Sequence, residues 1–254
     1  SMVHLGSENV AKKFQGMVKR CADSGFDLAA GLVEVVPTAH YLMGGVVVDV
    51  ETRTSLAGLY VAGEDAGGAH GSNRLGGNGV ANSTVYGGIA GDVMAADAQK
   101  MSALHDPDET ILDEELARAI IPFSAKPGNV HELRVRLMDA MWDDVGVMRD
   151  AAGLKLGIEK IASLKTDMEN VGVSADNLAF NLSWHDWLSL QSLIDTSEVI
   201  AKAGLSRENS RGAHFREDFP DAGSLDDSYF TIATSGDKGI EVNREAVKFT
   251  IVKP

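Results

Sequence analysis

The sequence predicts an α/β region followed by an all-α helix bundle and a short β-rich tail, and three observations predict it. Glycine clusters concentrate between Leu32 and Ala98, among short runs of branched and aromatic residues. From about residue 106 to residue 203 apolar residues recur at helical spacing instead. After Pro220 two runs of β-forming residues take over, bracketing Gly236 and Gly239.

Taken in order, Ser1 and Met2 read as a cloning or cleavage remnant and are set aside. Val10, Phe14, Met17, Val18 and Cys21 fall on one face of a helix, with Ser7 as its expected N-cap and Gly25 as its stop. Residues 46–50 and 58–62 read as strands, because β-branched and aromatic residues stand between glycine and polar ones. Residues 78–98, rich in Ala, Val, Ile and Gly, read as a buried helix opening directly after a glycine loop. Strand, glycine loop and helix together form a layout that brings backbone amides close to an anion or a cofactor ring.

Beyond it, Leu133, Leu137, Met141, Val145 and Met148 keep three-to-four spacing. Ile158, Ile161, Leu164 and Met168 continue it past the interruptions at Gly153 and Gly157. A further helix starts at Trp184 and Trp187 and reaches about Ala203, so two or three helices joined by short loops form a bundle. Trp142, Trp184 and Trp187 lie on apolar faces and are expected in its core. In the tail, residues 229–233 and 248–252 read as two strands.

Composition excludes several function classes. The 254 residues are 44% hydrophobic, enough to bury a core, while a net charge of -14 repels phosphate backbones and anionic lipid. No nucleic-acid partner is expected. No apolar run approaches the roughly 18 to 20 residues of a membrane span. The single cysteine, Cys21, forms no internal disulfide and points to a reducing cytoplasm. His131 and His185 have no ligand partners at metal spacing, and no metal site is expected.

The densest chemical signal lies between Pro37 and Val80. His40 and Arg74 stand near glycine turns and together suit a small carboxylate: the arginine offers planar paired donors and the histidine a further hydrogen bond. Glu64, after a strand, is placed to accept hydrogen bonds from sugar hydroxyls. Each has a plainer reading as a structural residue, and these residues alone define an anion-binding α/β protein.

Two longer motifs narrow that reading. The run from Pro37 to Gly45, PTAHYLMGG, resembles the substrate-histidine motif of succinate dehydrogenase and fumarate reductase flavoproteins, and the run from His70 to Asn78, HGSNRLGGN, resembles the motif holding their substrate arginine. The resemblance extends over nearly the whole chain, through Asn181 to Trp184 and Ser210 to Asp218. It implies FAD as cofactor and four segments: the end of a capping domain (3–30), the C-terminal part of an FAD-binding domain (31–100), a helical bundle domain (101–220) and the β-rich tail (221–254). It also implies that His40 and Arg74 bind and orient a dicarboxylate. Glu64 would hydrogen-bond the ribityl or ribose region, and Gly79 and Val80 would present backbone amides to the flavin pyrimidine edge. The reaction implied is hydride transfer between a dicarboxylate carbon and flavin N5.

Gly79 and Val80 stand where the family usually has Ser and Leu, and the interval from Glu64 to Arg74 is about one residue shorter. No Gly-x-Gly-x-x-Gly follows a strand. The family's flavin-linking histidine and proton-delivering arginine belong to an upstream region. The expectation is therefore a C-terminal portion, inactive alone, that needs its missing N-terminal FAD-binding region. An iron-sulfur subunit is the further partner implied, through which the protein sits peripherally at the inner face of the membrane. L-aspartate oxidase, whose histidine motif commonly carries Cys where this chain has Met43, is a sister reading. A noncatalytic docking module or half of a split flavoprotein is the other.

The mixed-charge run Arg211, His214, Arg216, Glu217 and Asp218 reads as a network tying the helical region to the glycine-rich one.

Overall fold

The structure is a computed structural model describing residues 1–36, 40–104, 106–237 and 239–253. It divides into two units, Ser1–His40 and Tyr41–Pro254. In the first, α1 (Ser7–Lys13) and α2 (Gln15–Asp23) replace the single helix expected there. Phe14 leaves helical geometry between them at φ -121°, and Gly6 at φ 79°, rather than Ser7, precedes the first turn. The expected stop holds: Gly25 takes φ 84° just beyond α2.

The second unit contains, among the described residues, α3 (Asn78–Lys100), α4 (Glu109–Ile120), α5 (Val130–Asp143), α6 (Ala151–Glu169), α7 (Leu182–Ser206) and the antiparallel pair β1 (Tyr229–Gly236) and β2 (Gly239–Ala246). Four of these helices start where an Asp or Asn side chain accepts a backbone N–H of the first turn. Asp108 accepts from Thr110 (2.9 Å), Asn129 from Glu132 (3.1 Å), Asp150 from Gly153 (2.7 Å) and Asn181 from Trp184 (3.0 Å).

Helices α5, α6 and α7 enclose the core, in which Leu137, Leu154, Ile161, Leu164, Trp187, Leu190 and Ile194 are all buried. Gly153 and Gly157 do not interrupt this bundle but lie inside α6. A Cβ at Gly157 would stand 2.7 Å from Val145 Cγ2, so the glycine lets the segment after α5 pack directly on α6. Trp187 is buried and donates from Nε1 to the Val171 carbonyl at 2.8 Å. Trp184 is half-buried and donates to Ala119 at the end of α4 (2.7 Å). Trp142, expected in the core, is instead 60% exposed. It falls in the last turn of α5, where the chain is already turning toward α6.

Three further expectations fail for one reason, that strand and burial assignments depend on a partner. Residues 46–50 and 58–62 form no strand, only the isolated bridges Val46 to Ala66 and Arg53 to Tyr60. Asp49 Oδ1 accepts the N–H groups of Glu51 and Arg53, and Thr52 sits at φ 65°, which folds the run into a turn. Helix α3 is not buried: only Asn82 and Ala90 are, while Val80, Val85 and Met94 are exposed. The second strand of the tail is β2, not residues 248–252. Gly236 pairs directly with Gly239, so the tight turn commits the residues immediately after it to the ladder.

The hairpin rests on α7 through Arg207, which donates to the Tyr229 carbonyl (3.2 Å). Arg244 donates to the Ser206 carbonyl (2.9 Å), and both guanidinium groups lie over the Tyr229 ring. The charged side chains of the mixed-charge run join the helical region to the exit loop rather than to the glycine-rich region, which the run meets through the Ala213 backbone N–H. Arg216, 1% exposed, makes paired hydrogen bonds to Asp218 (2.7 Å each) and donates to Gly204 and Leu205 carbonyls at the end of α7. Asp218 also accepts the Ala151 N–H at the start of α6 (2.9 Å). No helix among the described residues is long and apolar enough to cross a membrane.

Two stability predictions arise here. Trp187→Ala should destabilise the fold by about 3–5 kcal/mol and Trp142→Ala by less than about 1 kcal/mol; equal losses in chemical denaturation would refute this placement. The second concerns His214, whose Nδ1 lies 3.1 Å from Arg149 Nη1 and whose Nε2 lies 3.1 Å from the Arg207 carbonyl. Burial, reinforced by Arg149, Arg207 and Arg216, pushes its pKa below the usual histidine value. The unfolded chain then binds the proton first, so stability falls as the pH drops below about 6.5. His214→Gln, which can keep both hydrogen bonds, should lose less melting temperature than the wild type between about pH 7 and 5. Parallel curves would remove His214 as the cause.

Candidate functional site

Two glycine-rich loops meet at the N-terminus of α3, and their closeness follows from what they lack. Gly45 packs on the Asp65 carbonyl so tightly that a Cβ would lie 2.3 Å from its oxygen. Val46 N–H donates to that carbonyl (2.7 Å), and Gly67 N–H returns to the Val46 carbonyl (3.0 Å). Glu64 is exposed on this loop and accepts the Leu42 N–H at 2.9 Å, which aims its carboxylate. Gly63, at φ 87°, turns its carbonyl to the buried Asn82 in α3, whose Nδ2 donates at 3.1 Å. At its other end α3 is held by Asp97, which accepts from Tyr60 (2.7 Å) and Arg53 (2.8 Å) and is kept well below the usual carboxylate pKa chiefly by these bonds.

The second loop carries Arg74 to the start of α3. Its guanidinium lies 4.5 Å over the Tyr41 ring, and Nη1 donates to the Leu75 carbonyl (3.3 Å). Among the described residues Arg74 joins no salt bridge, and its shielded Nε has no hydrogen-bond partner. Among the described residues, then, no structural ion pair, the plainer reading of this arginine, occupies it. A side chain at Gly79 would lie 3.1 Å from Tyr41 Cε2 and 3.7 Å from Arg74 Nη1, so glycine keeps the helix start open beside both.

Helix α3 also differs from the four capped helices of its unit. Its N-cap is Gly77 at φ 86°, and no side chain among the described residues caps its first turn. Asn78 N–H donates to the Leu75 carbonyl (3.2 Å), while the N–H groups of Gly79 and Val80 lie at the positive end of the helix dipole with no carboxylate or hydroxyl among the described residues to satisfy them. Val80 is exposed there. An uncapped, glycine-lined helix start fits the edge of an electron-rich heterocycle that gathers negative charge.

The structure thus groups Glu64, Arg74, Gly79 and Val80 about one helix start in the second unit. His40 ends the first unit and is exposed. Pro37, Thr38 and Ala39 of its motif lie outside the described residues. Sequence reasoning assigned no role to Tyr41, His70 or Asn82, although the first two lie in the quoted motifs. Tyr41 OH lies 3.3 Å from His70 Nε2, and Asn82 Nδ2 lies 3.0 Å from the same nitrogen. A polar Asn on the inner side of an apolar helix was the available signal.

The Arg74 loop is braced from the far end of the chain. Ala213 N–H donates to the Ser72 carbonyl (2.9 Å), two residues before Arg74. Gly212, at φ 62°, lies so close that a Cβ would be 2.2 Å from that oxygen.

Comparison with known proteins places these features in a family context. Residues 2–80 match the family model described as "FAD binding domain", and residues 134–254 match "Fumarate reductase flavoprotein C-term". The chain is 36% identical over 220 residues to a fumarate reductase (CoM/CoB) subunit of Methanothermobacter marburgensis, covering 86% of this chain and 39% of that protein. It is 32% identical over 222 residues to the L-aspartate oxidase of Yersinia pestis, with the same coverage. Among solved structures, Mycobacterium smegmatis Sdh1 superposes with a TM-score of 0.82 at 30% identity, covering 97% of this chain and 42% of that one. An E. coli quinol fumarate reductase chain gives 0.86 at 26% identity, covering 99% and 44%. The chain spans about two fifths of the length of the relatives it resembles.

Gly212→Ala should lose about 1–3 kcal/mol from the left-handed backbone alone, before the clash with Ser72. A denaturation midpoint equal to the wild type's would show that this brace is dispensable.

Proposed function

The chain belongs to the succinate dehydrogenase and fumarate reductase flavoprotein family, and on that premise we propose that it is the C-terminal portion of an FAD-dependent oxidoreductase interconverting succinate and fumarate. The observation that carries this reading is the arginine at the start of α3. A guanidinium held on a tyrosine ring, with no acidic partner among the described residues, is prepared for a carboxylate from outside the chain.

In this reading Arg74 grips one carboxylate of the dicarboxylate and His40 adds a hydrogen bond, which together orient the substrate and polarise it. Glu64, aimed by Leu42 N–H, accepts hydrogen bonds from ribityl or ribose hydroxyls. The backbone N–H groups of Gly79 and Val80 meet the pyrimidine edge and offset negative charge there. Bound FAD supplies the acceptor or donor of the hydride. Residues 3–30 would close a capping domain, 31–100 complete the FAD-binding domain, 101–220 form the helical domain and 221–254 the tail. Several relatives are named as parts of larger enzymes, which supports a partner for electron transfer. An iron-sulfur protein is the partner proposed, holding a cytoplasmic chain peripherally at the inner face of the membrane.

The similarity to L-aspartate oxidase favours one second reading, in which the same arginine and histidine bind the carboxylate of L-aspartate. Met43, where that group commonly carries Cys, weighs for succinate and fumarate.

In the complete flavoprotein, Arg74→Lys keeps the charge but loses the planar fork, and it should raise KM for the dicarboxylate; His40→Ala should act similarly. Removing one charged hydrogen bond from a desolvated carboxylate should cost about 2–4 kcal/mol, or roughly thirty- to a thousandfold in kcat/KM. Steady-state kinetics with succinate, fumarate and L-aspartate, read beside the flavin-to-protein absorbance ratio, provide the check. Unchanged kinetics in both variants would refute the substrate assignment, and loss of flavin with intact substrate affinity would move both residues to the cofactor.

A further inference from the structure

We propose that Tyr41 is a positioning residue for Arg74, its ring setting the direction in which the guanidinium presents its donors to the substrate carboxylate. This rests on the reading of Arg74 given above. Arg74 Cζ lies 4.5 Å from the Tyr41 ring centroid, so the cation is attracted to the π-face while its in-plane N–H groups remain available to an oxygen ligand. The charge has no carboxylate to orient it among the described residues, and its hydrogen bond to Leu75 O is long at 3.3 Å. The ring is the remaining strong constraint on it.

Tyr41 is itself held from several directions. Its hydroxyl lies 3.3 Å from His70 Nε2 and 3.4 Å from Asn82 Nδ2. The His70 ring meets it edge-on, with centroids 5.2 Å apart and planes at 83°. Asn82 is in turn fixed by its bond to the Gly63 carbonyl, at 3.1 Å, which leaves its second N–H to be shared between His70 Nε2 (3.0 Å) and the Tyr41 hydroxyl (3.4 Å). On the remaining edge the ring abuts Gly79, where a Cβ would stand 3.1 Å from Cε2. Gly79 therefore has a second task beyond offering its backbone: it admits the ring that carries Arg74. A helix start, a glycine loop and a histidine thus converge on one phenol, and the phenol transmits their placement to the arginine.

The test is a double-mutant cycle in the complete flavoprotein, with flavin content and melting temperature measured on every variant. Tyr41→Leu should raise KM for the dicarboxylate roughly 3- to 30-fold, with a smaller change in kcat. Tyr41→Phe, which keeps the ring, should raise it less. In an Arg74→Ala background Tyr41→Leu should have almost no further effect, because the group it positions is gone. An equal rise in both backgrounds overturns the proposal. If Tyr41→Leu fails to fold, phenylalanines bearing increasing numbers of fluorines at position 41 keep the shape while weakening the π-face, and KM should climb along that series. A flat series overturns the proposal as well. If Arg74→Ala raises KM but the Tyr41 variants do not, only the positioning role falls. If Arg74→Ala leaves KM unchanged, the dicarboxylate reading falls and this inference with it.

Discussion

Arg216 carries a full positive charge at 1% exposure, and satisfying it organises the second unit. Its paired bonds to Asp218 and its donors to the last carbonyls of α7 neutralise the cation and cap the helix at once. Asp218, held down to a pKa of about 2 chiefly by Arg216, stays ionised and accepts the first N–H of α6. A buried guanidinium is tolerable only when its donors are met, so α6, α7 and the exit loop take the arrangement that brings Asp218 and the last carbonyls of α7 to Arg216.

That arrangement reaches the candidate site through the backbone. Residues 211–214 turn back from the same cluster, with Arg211 N–H bonded to the His214 carbonyl (2.9 Å), and place Ala213 N–H on Ser72. The loop bearing Arg74 is thereby braced by the far end of the chain, through a glycine that no other residue could replace at that φ without strain. Folding of the helical bundle and placement of Arg74 are parts of one constraint.

The site itself departs from the rules the bundle obeys. Helices α4 to α7 are each capped by a side chain, whereas α3 opens on a left-handed glycine with no side-chain cap. Arg216 and Arg53 find carboxylates, whereas Arg74 rests on a ring with Nε unpaired. Local stability is given up at the place where a ligand would restore it, which is where such departures are expected in a functional protein.

Local chemistry in the sequence was enough for the bundle and for naming candidate site residues. Three-to-four spacing marks the apolar faces of α5, α6 and α7, because it acts within one or two turns, whereas the Asp and Asn caps at the starts of α4 to α7 were not read from it. The glycines around Arg74 and Glu64 were equally readable, since backbone conformations near φ +60° to +90° admit few other residues. What the sequence left undecided depends on neighbours distant in the chain. Residues 46–50 and 248–252 have strand-like composition, yet a strand exists only where a second one pairs with it, and turn chemistry at Asp49 and at Gly236 settled both cases. Trp142 and the apolar residues of α3 have the right character for a core, but burial is a property of the surface opposite them. The support of Arg74 by Tyr41, and of Ser72 by Ala213, join residues 33 and 141 positions apart. Only the folded chain brings those pairs into contact, so only the tertiary structure could decide them.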